Sequence, residues 1–298
     1  MRAMKRTRSD NIFLFIVTVI LVLVFAVVAF PLIYTVACSL SSSRAVVSGR
    51  VFLWPVEPTL LGYRRIFENP SVMNGYLNSV IYTLGGTAIS LFLTLTSAYS
   101  LSRADFGLRI PVMAIFAFTM LFSGGLIPTY LLVGKLGLMN TRWAIILPTA
   151  ISVYNLIVTR TFFESTLPQE LLDASRVDGC GDFRFFLTVA LPLSGAIIAV
   201  MSLFYAVGIW NSYFSALIYL SNDRLFPLQL ILRQILVQNK VDITMLTAST
   251  ADDISARQSL FELLKYSLIV VASAPMMILY PFIQKYFIQG VMIGAIKG

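Results

Sequence analysis

Apolar residues gather into six long runs, 12–38, 78–101, 110–132, 143–163, 195–219 and 263–282, separated by more polar stretches. A helix rises about 1.5 Å per residue, so roughly 20 residues cross about 30 Å of hydrocarbon, and each run is long enough to span. The pattern predicts an all-α polytopic membrane protein of about six transmembrane helices, with both termini on one side.

The first run follows Arg2, Lys5, Arg6 and Arg8, as a secretory signal would. Its apolar length exceeds the roughly 7–15 residues of a signal core, and no clean cleavage site follows, because the chain continues as PLIYTVACSLSSS. It is expected to be a retained first helix. Pro31, Pro128, Pro275 and Pro281 interrupt or bound helices, which membranes tolerate where neighbouring helices or a water-filled path satisfy the freed backbone groups. Lys265 is expected in the first turn or two of the sixth helix, its ammonium snorkelling to the interface.

Charge sets the orientation. The basic start, Arg103 and Arg109, Arg176 and Arg184, and Lys285 and Lys297 fall to one face, which the positive-inside rule makes the cytoplasm, so both termini are expected there. The opposite segments are 39–74, 134–142 and 221–262. The last is read as a long outer loop carrying a short amphipathic helix at 226–237, with Leu228, Ile231, Leu232 and Ile235 on one stripe. The whole chain, 1–298, reads as one membrane domain with its core bundle at about 75–285.

Composition agrees: 58% of the 298 residues are hydrophobic, 12% are charged and the mean hydropathy is +0.84, so lipid must answer the apolar surface. Histidine is absent, and Cys38 and Cys180 stand far apart without metal-ligand neighbours, which argues against a zinc site or a disulfide framework. The net charge of +8 is explained by loop charge, and no nucleic-acid partner is expected.

The segment STLPQELLDASRVDGCGDFRFFLTVALP, residues 165–192, is too polar to span and too patterned for a slack loop. Thr166 and Gln169 form a capping-box pattern with Pro168 in the first turn, and Gly179 is placed to end the helix in a left-handed conformation. Leu171, Ala174, Ser175 and Asp178 share a face whose small side chains let another backbone approach. Asp182 is expected to cap a second short helix, 183–190, that stops before Pro192.

Asp173, Ala174, Ser175, Gly179, Val189, Leu191 and Pro192 fall at the positions of the EAA motif of bacterial ABC importer permeases: Glu-Ala-Ala, then glycine, then Ile-x-Leu-Pro. Asp replaces Glu at 173, Ser replaces Ala at 175 and Val replaces Ile at 189. The stretches at 31–42, 123–141 (SGGLIPTYLLVGKLGLMNT), 204–220 (FYAVGIWNSYFSALIYL) and 281–298 (PFIQKYFIQGVMIGAIKG) extend the likeness over nearly the whole chain, which resembles the maltose-type permeases in their branch for complex oligosaccharides and polysaccharides.

The resemblance implies a cytoplasmic coupling helix that sits in a groove of an ATPase subunit, with Glu170, Asp173, Ala174, Ser175, Arg176, Gly179, Leu191 and Pro192 at that contact. It also implies a second homologous permease, two ATPase subunits holding ATP and Mg, an external sugar-binding protein, a place in the bacterial inner membrane, and no catalysis or cofactor in this chain. Asn78 and Tyr82 in the second span and Trp210, Asn211, Ser212 and Tyr213 in the fifth are candidates for a sugar path between two permeases. The same residues fit an interfacial aromatic belt and helix-to-helix hydrogen bonds equally well. Arg44, Arg50, Arg64, Arg65, Lys135, Arg142, Arg224, Arg233, Lys240 and Arg257 give the outer segments an excess of positive charge, which suits an acidic saccharide such as a uronate oligomer or an acidic binding protein.

Three rivals use the same residues. Gly179-Cys180-Gly181-Asp182 spells the Gly-x-Gly-Asp of intramembrane aspartyl proteases, but no second Asp lies in an apolar run. An ion-coupled secondary transporter would normally place ionisable groups in its spans, and these are nearly free of charge. Gly290 and Gly294 match a helix-dimer spacing, yet they follow the last span and are read as a packing tail.

Overall fold

The computed structural model describes residues 8–245 and 251–295, with side chains described at 8–237, 261–282 and 284. Among these residues every regular element is helical: α1 (Arg8–Ser39), α2 (Ser43–Val47), α3 (Leu61–Glu68), α4 (Pro70–Ser102), α5 (Arg109–Leu121), α6 (Leu126–Lys135), α7 (Trp143–Ile146), α8 (Val153–Thr166), α9 (Gln169–Val177), α10 (Asp182–Phe185), α11 (Leu191–Leu193), α12 (Gly195–Trp210), α13 (Phe214–Tyr219), α14 (Leu228–Met245) and α15 (Ala251–Ala295). Helices α1, α4 and the 261–282 stretch of α15 are each long and apolar enough to cross a bilayer, and three bent pairs reach the same length together.

The bends are not in the hydropathy pattern, and each has a local cause. The third run, expected as one helix, turns by 117° between α5 and α6, where Gly125 sits at φ +83 and ψ −179, a conformation that needs glycine. The fourth bends by 52° after a 3-10 turn at Leu147–Thr149, because Ser152 leaves the helical region and its hydroxyl accepts from the Asn155 amide to start α8. The fifth ends at Trp210 rather than 219 and is entered through an 81° bend at Ser194.

The 221–262 stretch is largely helix and not a loop around one short helix: α14 extends the expected amphipathic segment to Met245 and α15 starts at Ala251. Backbone hydrogen bonding satisfies a helix in polar sequence as well as in apolar sequence, so hydropathy alone does not mark it. Lys265 therefore lies about four turns into α15, paired with Glu262 at 3.2 Å and over the Tyr266 ring. Gly290 and Gly294 come after the 261–282 span, where α15 continues as helix. Their packing, with the side chains of Lys240, Arg257 and Lys285, lies outside the described residues, as do Arg2, Lys5, Arg6 and Lys297.

The chain divides into two compact units, 1–69 with 235–273, and 70–234 with 274–298. In the first, α1 buries only Ala37, Cys38 and Ser39, so its apolar length is left for lipid. Its end is pinned where Ser39 shares a 2.7 Å hydrogen bond with Tyr63 and the Ser267 hydroxyl donates to the Ser39 carbonyl at 3.3 Å. A Cβ at Gly62 would collide with Ser267, so this approach requires glycine.

In the second unit α4 is the spine against which α8 and α12 pack. One face of α4 carries Gly75, Ser79, Tyr82, Thr83, Gly86, Ser90 and Thr94, a buried row of small and polar residues at three- and four-residue spacing. Small side chains let membrane helices approach closely, and Thr94 shares a buried 2.6 Å hydrogen bond with Tyr205 of α12.

Candidate functional site

The 165–192 segment forms a helix, turn, helix knob at the Ser102 end of α4. Thr166 is the last residue of α8 and not the cap of α9, and its buried hydroxyl has no hydrogen-bond partner among the described residues. The α8 helix runs on far enough to claim Thr166, so extended Pro168 (φ −65, ψ 149) precedes α9 instead. Gly179 is left-handed at φ +74 as its position requires. The Gly179 amide donates to the Arg176 carbonyl at 3.0 Å and the Cys180 amide to the Ser175 carbonyl at 2.9 Å, the pair of bonds that closes a Schellman turn.

Asp182 is the first residue of α10 rather than its cap, which is Gly181. The second helix does not stop before Pro192. It widens into a π-turn at Phe186–Ala190 and continues as α11, because a π-turn relieves the i−4 carbonyl that proline would otherwise obstruct.

The knob is held to the membrane helices by an apolar core. Leu172 of α9 and Phe185 and Phe186 after the turn are buried against Leu95, Ala98 and Tyr99 of α4 and Leu156 and Phe163 of α8. Tyr99 meets Phe163 edge-on at 5.9 Å and Phe186 at 4.9 Å. On the other face Asp173 and Ala174 are exposed, as are Leu171, Val177 at 88% and Phe183 at 76%, an apolar surface facing away from the bundle. Glu170 is exposed in the first turn, and Ser175 turns its hydroxyl back to the Leu172 carbonyl at 2.7 Å. Leu191 packs on the knob core, while Pro192 is exposed.

A set of charges that the sequence shows only as scattered residues meets beneath the knob. Arg103, just past α4, grips Asp105 through two nitrogens at 3.0 and 2.7 Å and donates to the Tyr99 hydroxyl at 2.9 Å. Arg176 of α9 donates to the same Asp105 at 2.6 Å, and both guanidinium groups reach Asp182, at 3.3 and 3.4 Å. The hydrogen bond from Arg103, with that from Arg176 second, holds the Asp105 carboxyl far below the usual carboxylate range. No cue in the local sequence joins positions 71 and 79 residues apart.

At the other end of α4, about 35 Å away by helical rise, Asn78 and Tyr82 are buried and occupied by the chain itself. Asn78 donates to the Arg224 carbonyl at 2.7 Å and the Phe226 carbonyl at 3.2 Å, and Tyr82 donates to the Leu225 carbonyl at 2.7 Å. Trp210 is buried edge-on to Tyr76, Asn211 bonds back to the Val207 carbonyl at 3.0 Å, and Tyr213 is partly exposed beneath Arg233. Ser212 instead lines a cavity of about 290 Å³ with Thr149, Ser152, Asn155 and Tyr205. Asn155, 6% exposed, makes no side-chain hydrogen bond among the described residues. The sequence signal for it was a single amide within an apolar run.

Residues 101–293 match the family described as "Binding-protein-dependent transport system inner membrane component". Protein LplC of Bacillus subtilis (strain 168) is 40% identical over 273 residues, covering 92% of this chain and 90% of that protein. The polygalacturonan/rhamnogalacturonan transport system permease protein YtcP of the same organism is 41% identical over 277 residues, covering 93% and 95%. A chain in the crystal structure of a bacterial ABC transporter involved in the import of the acidic polysaccharide alginate matches with a TM-score of 0.84 at 32% identity, covering 96% of this chain and all of that one. This likeness over nearly the whole chain shows that the chain belongs to the family of inner membrane components of binding-protein-dependent transport systems, the permeases of ABC importers.

Proposed function

We propose that this permease imports acidic oligo- or polysaccharides of the polyuronate class. The observation that carries the reading is that two matches spanning nearly the whole chain, YtcP and the alginate transporter chain, are both named for polymers rich in acidic sugars. The basic residues Lys135, Arg142, Arg224 and Arg233 on segments assigned to the outer side add a field that draws a polyanion inward.

In this reading the chain pairs with a second permease above two ATPase subunits, which hold ATP and Mg²⁺, and a binding protein delivers the saccharide. Glu170, Asp173, Ala174, Ser175, Arg176 and Gly179 form the surface that docks in the ATPase, with Leu191 and Pro192 behind it; the exposed Val177 and Phe183 supply apolar contact. ATPase closure pulls the knob and biases a bundle whose two conformations differ by a few kcal/mol. Along the path, the cavity lined by Ser212, Asn155, Thr149 and Ser152 offers hydroxyl and amide partners for sugar hydroxyls, with Asn211 and Tyr213 next to Ser212 in sequence. Asn78, Tyr82 and Trp210 shape the outer wall.

The test is uptake by the whole reconstituted transporter with its binding protein. Oligogalacturonate is expected to enter only with ATP inside, and neutral malto-oligosaccharide is expected not to compete. Preferential uptake of the neutral sugar, or entry without the ATPase subunits, would overturn the reading.

A further inference from the structure

We infer that Arg103, Asp105, Arg176 and Asp182 form a force-transmitting ring that makes α4 move with the coupling knob. This rests on the coupling reading above, and assigns positioning roles to Arg103, Asp105 and Asp182, which stand outside the docking surface, beside Arg176, which belongs to both.

The ring joins three segments: the turn after α4, the end of α9 and the start of α10. Each arginine touches both aspartates, so the four charges alternate and cancel. Isolated exposed ion pairs contribute little, but here Arg103 is only 12% exposed, is gripped through two nitrogens and is anchored to Tyr99 inside α4's own last turn. The Schellman turn at Gly179 returns the chain so that Asp182 can face Arg176, six residues earlier.

The covalent routes out of the knob are compliant by comparison. Toward α8 the chain passes a non-helical break at Leu167 and Pro168, and toward α12 it passes a π-turn and an 81° bend. The ring bypasses both and reaches α4 directly. Helix α4 in turn carries the buried polar row and, at its far end, Asn78 and Tyr82, so a pull on the knob is delivered along the spine of the unit.

The experiment uses the complete transporter in nanodiscs, with Cys38→Ser and Cys180→Ser and a spin label at Leu77→Cys, an exposed α4 position, paired with the equivalent position of the partner permease. In the wild-type ring ATP-vanadate is expected to shift this distance. In Asp105→Asn and in Asp182→Asn the shift is expected to fall at least about twofold while ATP hydrolysis persists, and Asp182→Glu is expected to keep it. A full wild-type shift in both neutral variants would overturn the ring alone. Absence of any shift in the wild type would remove the coupling reading and the ring with it. The Asp182 side chain is 64% exposed and accommodates Asn without a buried defect, so failure of both variants to assemble would show the ring to be merely structural and also overturn the inference.

Discussion

Arg176 of α9 donates to the Asp105 carboxylate at 2.6 Å, joining the knob to the turn after α4 across 71 positions of sequence. The contact puts the proposed motor-facing element and the central membrane helix under one electrostatic constraint.

Acidification tests the constraint with a definite sign. Asp105's folded-state pKa is depressed, so its contribution is present above the unfolded carboxylate value of about 3.9 and is lost as pH falls through the lower folded value. The difference in melting temperature between wild type and Asp105→Asn is expected to stay flat from about pH 8 to pH 5 and to shrink only below about pH 4. A difference that disappears between pH 7 and 6 would contradict the geometry.

Gly179→Val forces a β-branched residue to φ +74, at a cost of about 1–3 kcal/mol, and so opens the turn that presents Asp182. Substrate-stimulated ATPase activity in proteoliposomes is expected to drop about tenfold while basal hydrolysis continues. Unchanged stimulation would count against the role given to the turn.

Gly75 and Gly85 lie on one helix and separate packing from propensity. A Cβ at Gly75 meets the Leu228 backbone at 3.3 Å and collides with the Ile231 side chain, whereas a Cβ at Gly85 meets nothing within 4 Å. Gly75→Val is expected to destabilise by about 1–3 kcal/mol and Gly85→Val by far less, read from thermal melting in detergent. Equal losses would mean that close approach is not what Gly75 provides.

Asn155→Ala removes an amide that faces the 290 Å³ cavity without breaking a side-chain hydrogen bond seen within the described residues. Melting is expected to change by less than about 1 kcal/mol, and oligogalacturonate uptake to fall several-fold. Normal uptake would remove the cavity from the path.

Much of this architecture was legible because lipid imposes a simple rule: a long run without charge must be a helix, and its length sets the span. The knob was legible because Pro168 and Gly179 mark the start and end of a short helix in polar sequence, while its docking role rests on the resemblance to the EAA motif. The bends at Gly125, Ser152 and Ser194 were not, since each depends on one residue's backbone choice within sequence that stays apolar. Helices α14 and α15 pass through polar sequence, where hydropathy carries no signal. The ring has no local signature, since Asp105 and Arg176 meet across 71 positions and Arg103 and Asp182 across 79. The engagement of Asn78 and Tyr82 with the 224–226 backbone depends on pairing across some 145 residues, which no local pattern encodes.

The central claim is that the knob lies on the cytoplasmic side and mates with an ATPase. Its most direct test is labelling of Val177→Cys, in a background with Cys38→Ser and Cys180→Ser, by a membrane-impermeant maleimide in oriented vesicles. Reaction is expected in inside-out vesicles stripped of the ATPase, with protection when the ATPase rebinds. Labelling of intact right-side-out vesicles, or reaction indifferent to the ATPase, would contradict the account.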